Sequence, residues 1–429
     1  MSIDSYMYNL LKEIYPICRS ITGDGVRETL KILQREIPEL TLHEVPTGTK
    51  VFDWEVPCEW KIRDAWIKNS RGEKILDFKQ NNLSVVGYSA PVDKKVNLAE
   101  LKEIIYTLPN QKDAIPYVTS YYKERYGFCM TETQKEQLTE DTYHIYIDSE
   151  LFNGSLTYGE IIIPGESQKE IFLSTYTCHP SLANDNCSGP VVTTALAKYI
   201  KNMPRRKYTY RIVYLPETIG SITYLATQNH LQAMKENIIA GFNLTVLGDD
   251  RTYTYVATRY GNTLADKVAK NVLKYRYPNY INYSYLHRGS DEREYCSPGV
   301  DLPVATICRS KYGDYPEYQT SKDNLGLVSP IGLQGSYEAH IEAIEILEHN
   351  AKYKIKCCGE PQLGKRGLYP TISKKGSYDE ISAMMNFIAY ADGINDLVDI
   401  SDRIDVPVSE LRKIADKLVK ADLLDEVTA

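Results

Sequence analysis

Apolar positions first recur at the helix period over residues 3–20. They do so again over 25–36, where Leu30, Ile32, Leu33 and Ile37 follow a break at Thr22-Gly23-Asp24-Gly25. Thr41–Val45 reads as a strand. From residue 142 the pattern turns strand-rich. Thr142–Ile147 alternates, and Ser155–Pro164 is expected to return beside it as the second arm of a hairpin. Short apolar runs follow at Glu170–Thr175, Tyr208–Leu215, Ile238–Leu244 and Val304–Ile307. Helical runs at Pro190–Tyr199, Ser221–His230 and Gly332–Asn350 come between or after them. Strand, loop and helix in repetition predict an α/β/α sandwich with a mixed central sheet and helices on both faces. Ligands of such sheets bind beyond the carboxyl ends of the strands.

Two stretches break this pattern. Residues 47–140 hold all three tryptophans (Trp54, Trp60, Trp66), short strand-like runs and many breakers. Val51–Pro57 is strand-like up to its proline, and Ala114–Val118 leads into Tyr121-Tyr122. We read this as a small α+β module inserted between residues 1–46 and 141–352 and positioned to cover the crevice as a lid. Residues 355–370 read as a linker, and the Cys357-Cys358 pair within it as part of a loop. Helices expected over 379–390, 395–404 and 408–421, with Gly393 and Pro407 between them, resemble a winged helix-turn-helix over 366–429.

Composition is ordinary at 43% hydrophobic and 25% charged, which excludes collagen-like, low-complexity and disordered classes. No apolar run approaches the ~18 residues of a membrane-spanning helix. Met1–Ile14 lacks the basic and apolar regions of a signal peptide, so a soluble cytoplasmic protein is expected. Nine scattered cysteines, an odd number, read as reduced thiols. The net charge of −7 argues against nucleic acid as a partner. So does the C-terminal module, with seven basic residues against twelve acidic ones over 371–429. That balance repels a phosphate backbone and favours a protein partner for the winged helix, although Val408–Lys420 holds four basic residues. The sequence assigns no oligomeric state.

Histidine is scarce, and only His179 sits in a polar loop at the end of an apolar strand. The loop runs Cys178-His179-Pro180-Ser181-Leu182-Ala183-Asn184-Asp185-Asn186-Cys187-Ser188-Gly189. An imidazole and a carboxylate at this spacing can converge on one cation, and both are normal zinc ligands. The bland alternative makes Asp185 a helix cap and His179 a satisfied polar residue. Glu217 follows the next apolar strand at Leu215-Pro216-Glu217 and faces the same crevice. It stands as a metal ligand, a general base for water, or a helix-terminal carboxylate without chemistry.

The His179, Asp185-Asn186-Cys187-Ser188-Gly189 and Glu217…Gly220-Ser221 pattern resembles the co-catalytic zinc aminopeptidase superfamily. Val51–Pro57, Cys178-His179-Pro180, Asn184-Asp185-Asn186 and Gly289-Ser290-Asp291-Glu292-Arg293 resemble a bacterial branch of it. That branch has an inserted domain of unknown function and a C-terminal winged helix. The resemblance implies the zinc-exopeptidase-like fold and two metals on His, a bridging Asp, Glu, a second Asp and a last His, with a neighbouring Glu as base. His179 takes the first place, Asp185 the bridging place, and Glu217 one place of a Glu-Glu pair whose other member is Thr218. The second Asp is replaced by Thr245, with Asp249 and Asp250 beyond it, and the last His by Gln319. Threonine and glutamine are poor zinc ligands, so one zinc, on His179, Asp185 and Glu217, is expected rather than two. His287, Asp291, Gln319 and Tyr318 are candidate substrate contacts or accessory ligands. Glu292, Glu294, Asp314 and Glu317 are further donors in the same half. The resemblance implies a hydrolase for an amide of a short peptide or of an amino-sugar or amino-acid conjugate, linked to polysaccharide metabolism. The alternative is a degenerate aminopeptidase-fold protein that binds or regulates through its winged helix.

Overall fold

The structure, a computed structural model, describes residues 2–369 and 379–427. Its centre is an eight-stranded mixed sheet. In chain order the strands are β1 (Thr41–Pro46), β2 (Ser155–Ile163), β3 (Ser167–Tyr176), β4 (Tyr208–Leu215), β5 (Ile238–Asn243), β6 (Thr254–Val256), β7 (Ile281–Tyr283) and β8 (Val304–Cys308). In space they run β1-β2-β4-β3-β5-β8-β6-β7. The four neighbours β4, β3, β5 and β8 are parallel, so their carboxyl ends open on one edge.

Both faces of this sheet are dry, which explains the near-continuous apolar runs. Ile171 and Leu173 of β3 with Tyr210 and Ile212 of β4 join one core, under helices Ile3–Ile14, Asp24–Glu36, Ser188–Asn202, Leu264–Arg276 and Pro330–His349. Phe172 and Val213 point the other way, against Ile222, Tyr224 and Met234 of helices Ile219–Ala226 and His230–Asn237. The expected helix over 221–230 is two helices. Gln228 and Asn229 between them adopt left-handed backbone (φ 52° and 60°), which ends the first. The first helix stops at Ile14 rather than residue 20: Tyr15 is still helical (φ −56°, ψ −46°), but Pro16 has no N–H to carry the ladder on.

The hairpin expected from Thr142 does not form. Thr142–Phe152 pairs with Glu59–Lys68 and Val92–Asn97 in a separate four-stranded sheet. The reason is burial. Tyr143, Ile145 and Ile147 pack with Ala65, Ile67, Val96 and Phe128 in a core of their own. The small sheet thus reaches beyond the expected limit at residue 140. Lys352–Ile355, at the expected junction of the main domain with the linker, lies between Asp392–Asp396 and Leu424–Val427 as the middle strand of the C-terminal sheet.

The C-terminal helices are Asp379–Tyr390, Leu397–Ile404 and Val408–Lys420. Phe387, Leu397, Val398, Leu411 and Leu418 join the main core without a break. Lys267 pairs with Asp399 and Lys274 with Asp405, both at 2.6 Å, and the Asn271 amide donates to Ser401 Oγ at 2.7 Å. Phe387→Ala is expected to cost about 3–5 kcal/mol, because it opens a cavity at a fully buried ring. A urea-unfolding midpoint measured against wild type checks it.

Candidate active site

Because β3 and β4 are parallel neighbours, the segments leaving their carboxyl ends start side by side. His179 comes from the first and Glu217 from the second. Asp185 lies in the tight Ala183–Cys187 turn before helix Ser188–Asn202, and the Asp185–Asn186 peptide is cis. Gly189 lets that helix start against the sheet, since a Cβ there would fall 2.5 Å from the Leu244 carbonyl oxygen. The three side chains converge. His179 Nε2 lies 3.8 Å from Asp185 Oδ2 and 3.9 Å from Glu217 Oε2.

A second layer fixes them. The buried Arg19 guanidinium donates Nε–H to the His179 carbonyl and Nη2–H to Cys187 Sγ, both at 2.9 Å, tying together the two ends of the loop. Asp323 accepts from the amides of Asn184 (2.6 Å) and Asp185 (3.0 Å) and from the Tyr315 hydroxyl (2.9 Å). The Tyr176 hydroxyl donates to Asp185 Oδ1 and shares a 2.6 Å hydrogen bond with Thr245 Oγ1. Asp185 Oδ2 is buried without a hydrogen-bond partner.

Asp291 joins the cluster from the loop before helix Glu292–Tyr295. Its Oδ1 accepts from the Thr218 amide (2.8 Å) and the Ser221 hydroxyl (2.9 Å), while its buried Oδ2 has no partner. Burial pushes Asp291 up to about 7. Burial, followed by the carboxylates of Asp291 and Asp185, pushes Glu217 well above the usual range. Burial lowers His179 despite Asp185, which favours the neutral imidazole, the form that ligates metals.

The site opens into a cavity of about 370 Å³. Its floor includes Cys178, His179, Glu217 and Arg293, and its wall includes Trp54, Tyr117, Tyr121 and Tyr122 of the insertion. That wall is fastened to the loop that carries Gln319. The Tyr117 amide donates to the Gln319 carbonyl, and the Ser321 amide to the Ile115 carbonyl, each at 2.9 Å. The Gln111 side chain reaches the Pro316 carbonyl at 2.8 Å.

The other sequence candidates divide. Gln319 lines the cavity, and its amide donates to the Tyr318 hydroxyl at 3.0 Å. His287 stands apart on an exposed turn and hydrogen-bonds Ser284 at 3.3 Å, so it is not among the cavity residues. Asp249 is spent on Ser310 and Asn184, Glu292 on Gly289, Asn243 and Tyr312, and Glu317 on Arg251. Asp250 and Asp314 are exposed. Arg19, Asp323 and Tyr176 carry no local sequence signal. Only the contacts between distant segments reveal them.

The mixed sheet with its crevice at the parallel strand ends is the fold of the zinc aminopeptidases. BSAP, a zinc aminopeptidase from Bacillus subtilis, matches over 80% of this chain and 94% of its own with a TM-score of 0.58 at 12% identity, a likeness of fold alone. The chain belongs to the family described as "Domain of unknown function (DUF4910)", which matches residues 8–350, and residues 351–426 match a winged helix-turn-helix. A Clostridium acetobutylicum protein named "Putative polysaccharide biosynthesis protein with aminopeptidase-like domain" is 46% identical over 97% of this chain and 95% of its own. The crystal structure of a "putative peptidase" from the same organism matches 99% of this chain and 96% of its own, with a TM-score of 0.91 at 45% identity. Among the described residues no helix is long and apolar enough to cross a membrane.

Zinc is the metal this fold implies. Among the described residues no three His, Cys, Asp or Glu side chains already stand as a metal-binding group. The 3.8–3.9 Å spacings are wider than the roughly 3.3 Å between two ligands of one tetrahedral zinc with bonds near 2 Å. The donor chemistry fits one ion, because the orphaned Asp185 Oδ2 faces His179 Nε2 and Glu217 across a gap that small side-chain shifts close. Asp185 Oδ1 accepts from the Tyr176 hydroxyl, and Thr245, which shares a hydrogen bond with the same hydroxyl, offers no acidic ligand beside it.

With its carboxyl pushed up to about 7, Asp291 holds a proton in the folded state that it loses near pH 4 when unfolded. The folded state therefore loses stability as pH rises between those values. In chelator-treated protein the denaturant midpoint should fall between about pH 4 and 7. Asp291→Asn should flatten that fall, and an equally steep fall in the variant would assign it elsewhere.

Proposed function

We propose that the protein is an amide hydrolase on the zinc-aminopeptidase fold, holding one zinc on His179 and Asp185 with Glu217 beside them. Its substrate is an amide of a short peptide or of an amino-sugar or amino-acid conjugate. The observation that carries this reading is the convergence of His179 Nε2, the unpartnered Asp185 Oδ2 and Glu217, with His179 and Glu217 lining the cavity and Asp185 buried behind them. The name of the Clostridium relative supports a link to polysaccharide biosynthesis. The functional division is part of the proposal: the sandwich does the chemistry, the insertion walls the substrate, and the acidic winged helix meets a protein partner.

A zinc bound there would supply Lewis acidity toward the amide carbonyl. The chain's own work is to hold and move protons. Asp185 offers Oδ2 alone, with Oδ1 kept by Tyr176. Glu217, pushed well above the usual carboxylate range by burial and two carboxylates, is the group suited to take a proton from water and pass it to a leaving amine. Arg293 keeps a positive charge beside the Glu217 and Asp291 carboxylates.

Elemental analysis of protein purified without added metal should find about one zinc per chain, lost in His179→Ala. Two zincs, or none after zinc is added, would overturn the single-ion site. Glu217→Gln should lower kcat by about 10²–10⁴ with zinc retained if Glu217 is the base. Zinc lost together with activity would make it a ligand.

A second reading, a binding protein without turnover, draws on Thr245 and Gln319. Both sit in hydrogen bonds at places where the superfamily has ligands. It predicts saturable ligand binding by a zinc-free, inactive protein.

A further inference from the structure

The insertion contributes more than a cover. Trp54 and Tyr122 line the mouth of the cavity, their rings meeting edge-to-face at 5.6 Å, and they remain 40% and 57% exposed. Trp54 stands on a short hairpin, Lys50–Val51 with Trp54–Glu55, closed by the Val56 amide on the Thr49 carbonyl at 3.0 Å. Deeper in, Tyr117 and Tyr121 share a 2.7 Å hydroxyl hydrogen bond, and the Tyr117 ring lies 5.1 Å from that of His179. Flat aromatic faces are thus held open at the mouth of a chamber whose floor is polar. Large exposed apolar surface beside a cavity marks a binding site.

The mixture selects the ligand. An apolar amino-acid side chain would suit the rings but would strip water from Thr119, Gln319 and Arg293, which line the same cavity, and return nothing to them. A pyranose has both surfaces. Its C–H face stacks on an aromatic ring, and its hydroxyls ring the edge and meet polar side chains. About 370 Å³ is near the small end of ligand sites, enough for one ring and its acyl group.

We infer that the aromatic wall of the insertion seats a pyranose, and that the substrate is an N-acylated amino sugar. The ring lies on Trp54 and Tyr122, with its amide toward His179 and Glu217. This rests on the amide-hydrolase reading for the reaction but not for the seat.

The test is binding to the full chain, by calorimetry and saturation-transfer NMR, of the methyl glycoside of N-acetylglucosamine, with leucine amide as comparison. The glycoside should bind saturably, with saturation concentrated on ring C–H protons. Affinity should fall about tenfold in Trp54→Ala and in Tyr122→Ala. Trp54→Phe should restore most of it, and Trp66→Ala, whose ring stacks on Tyr146 in the small sheet, should leave it unchanged. Absence of glycoside binding, tighter binding of leucine amide, or affinity indifferent to Trp54→Ala would overturn the proposal. Inactive, zinc-free protein that still binds the glycoside through Trp54 would refute the hydrolase reading and keep the seat. Hydrolysis of leucine amide without glycoside binding would do the reverse.

Discussion

The Tyr176 hydroxyl lies between Asp185 and Thr245, and the character of the crevice depends on that position. One oxygen of the Asp185 carboxylate accepts from this buried phenol, and the other has no hydrogen-bond partner. The same phenol occupies the threonine that stands where the superfamily has an acidic ligand. Tyr176 ends β3, at the centre of the parallel strands, where its ring is fully buried. The sheet itself thus fixes one oxygen of Asp185 and leaves the other turned toward His179.

Around this point the structure accumulates negative charge and little to neutralise it. Asp185, Glu217, Asp291 and Asp323 lie on four different segments, each placed by its own backbone hydrogen bonds. Arg293 and the buried Arg19 are the nearby cations. Such a cluster is poorly stabilised when fully ionised. It is suited to a positive ion or to held protons, and the upward shifts at Asp291, Glu217 and Asp323 express the second condition.

The sandwich was legible in the sequence because a sheet buried on both faces leaves unbroken apolar runs and because loops at parallel strand ends carry polar motifs. His179, Asp185 and Glu217 were legible for the same reason. The Thr142–Phe152 strand was misassigned because alternation shows which face is buried without showing against which core. Lys352–Ile355 was not read as a strand, because four residues between a long helix and a loop carry too short a pattern. Asp323 and Arg19 were not legible, since their roles arise from contacts across more than a hundred residues. His287 had the chemistry of a ligand but lies on an exposed turn away from the cluster.

The seam between Ile115–Tyr117 and Gln319–Ser321 also bears on the order in which the protein is made. The wall and the loop it fastens to are separated by some two hundred residues, and no local segment contains both. A chain emerging from the ribosome completes its small sheet, then most of the sandwich strands, before residue 321 is available to close the chamber. The floor and wall of the site are thus joined only once residues 319–321 have been made. Binding competence in this architecture is a property of the finished molecule rather than of either part.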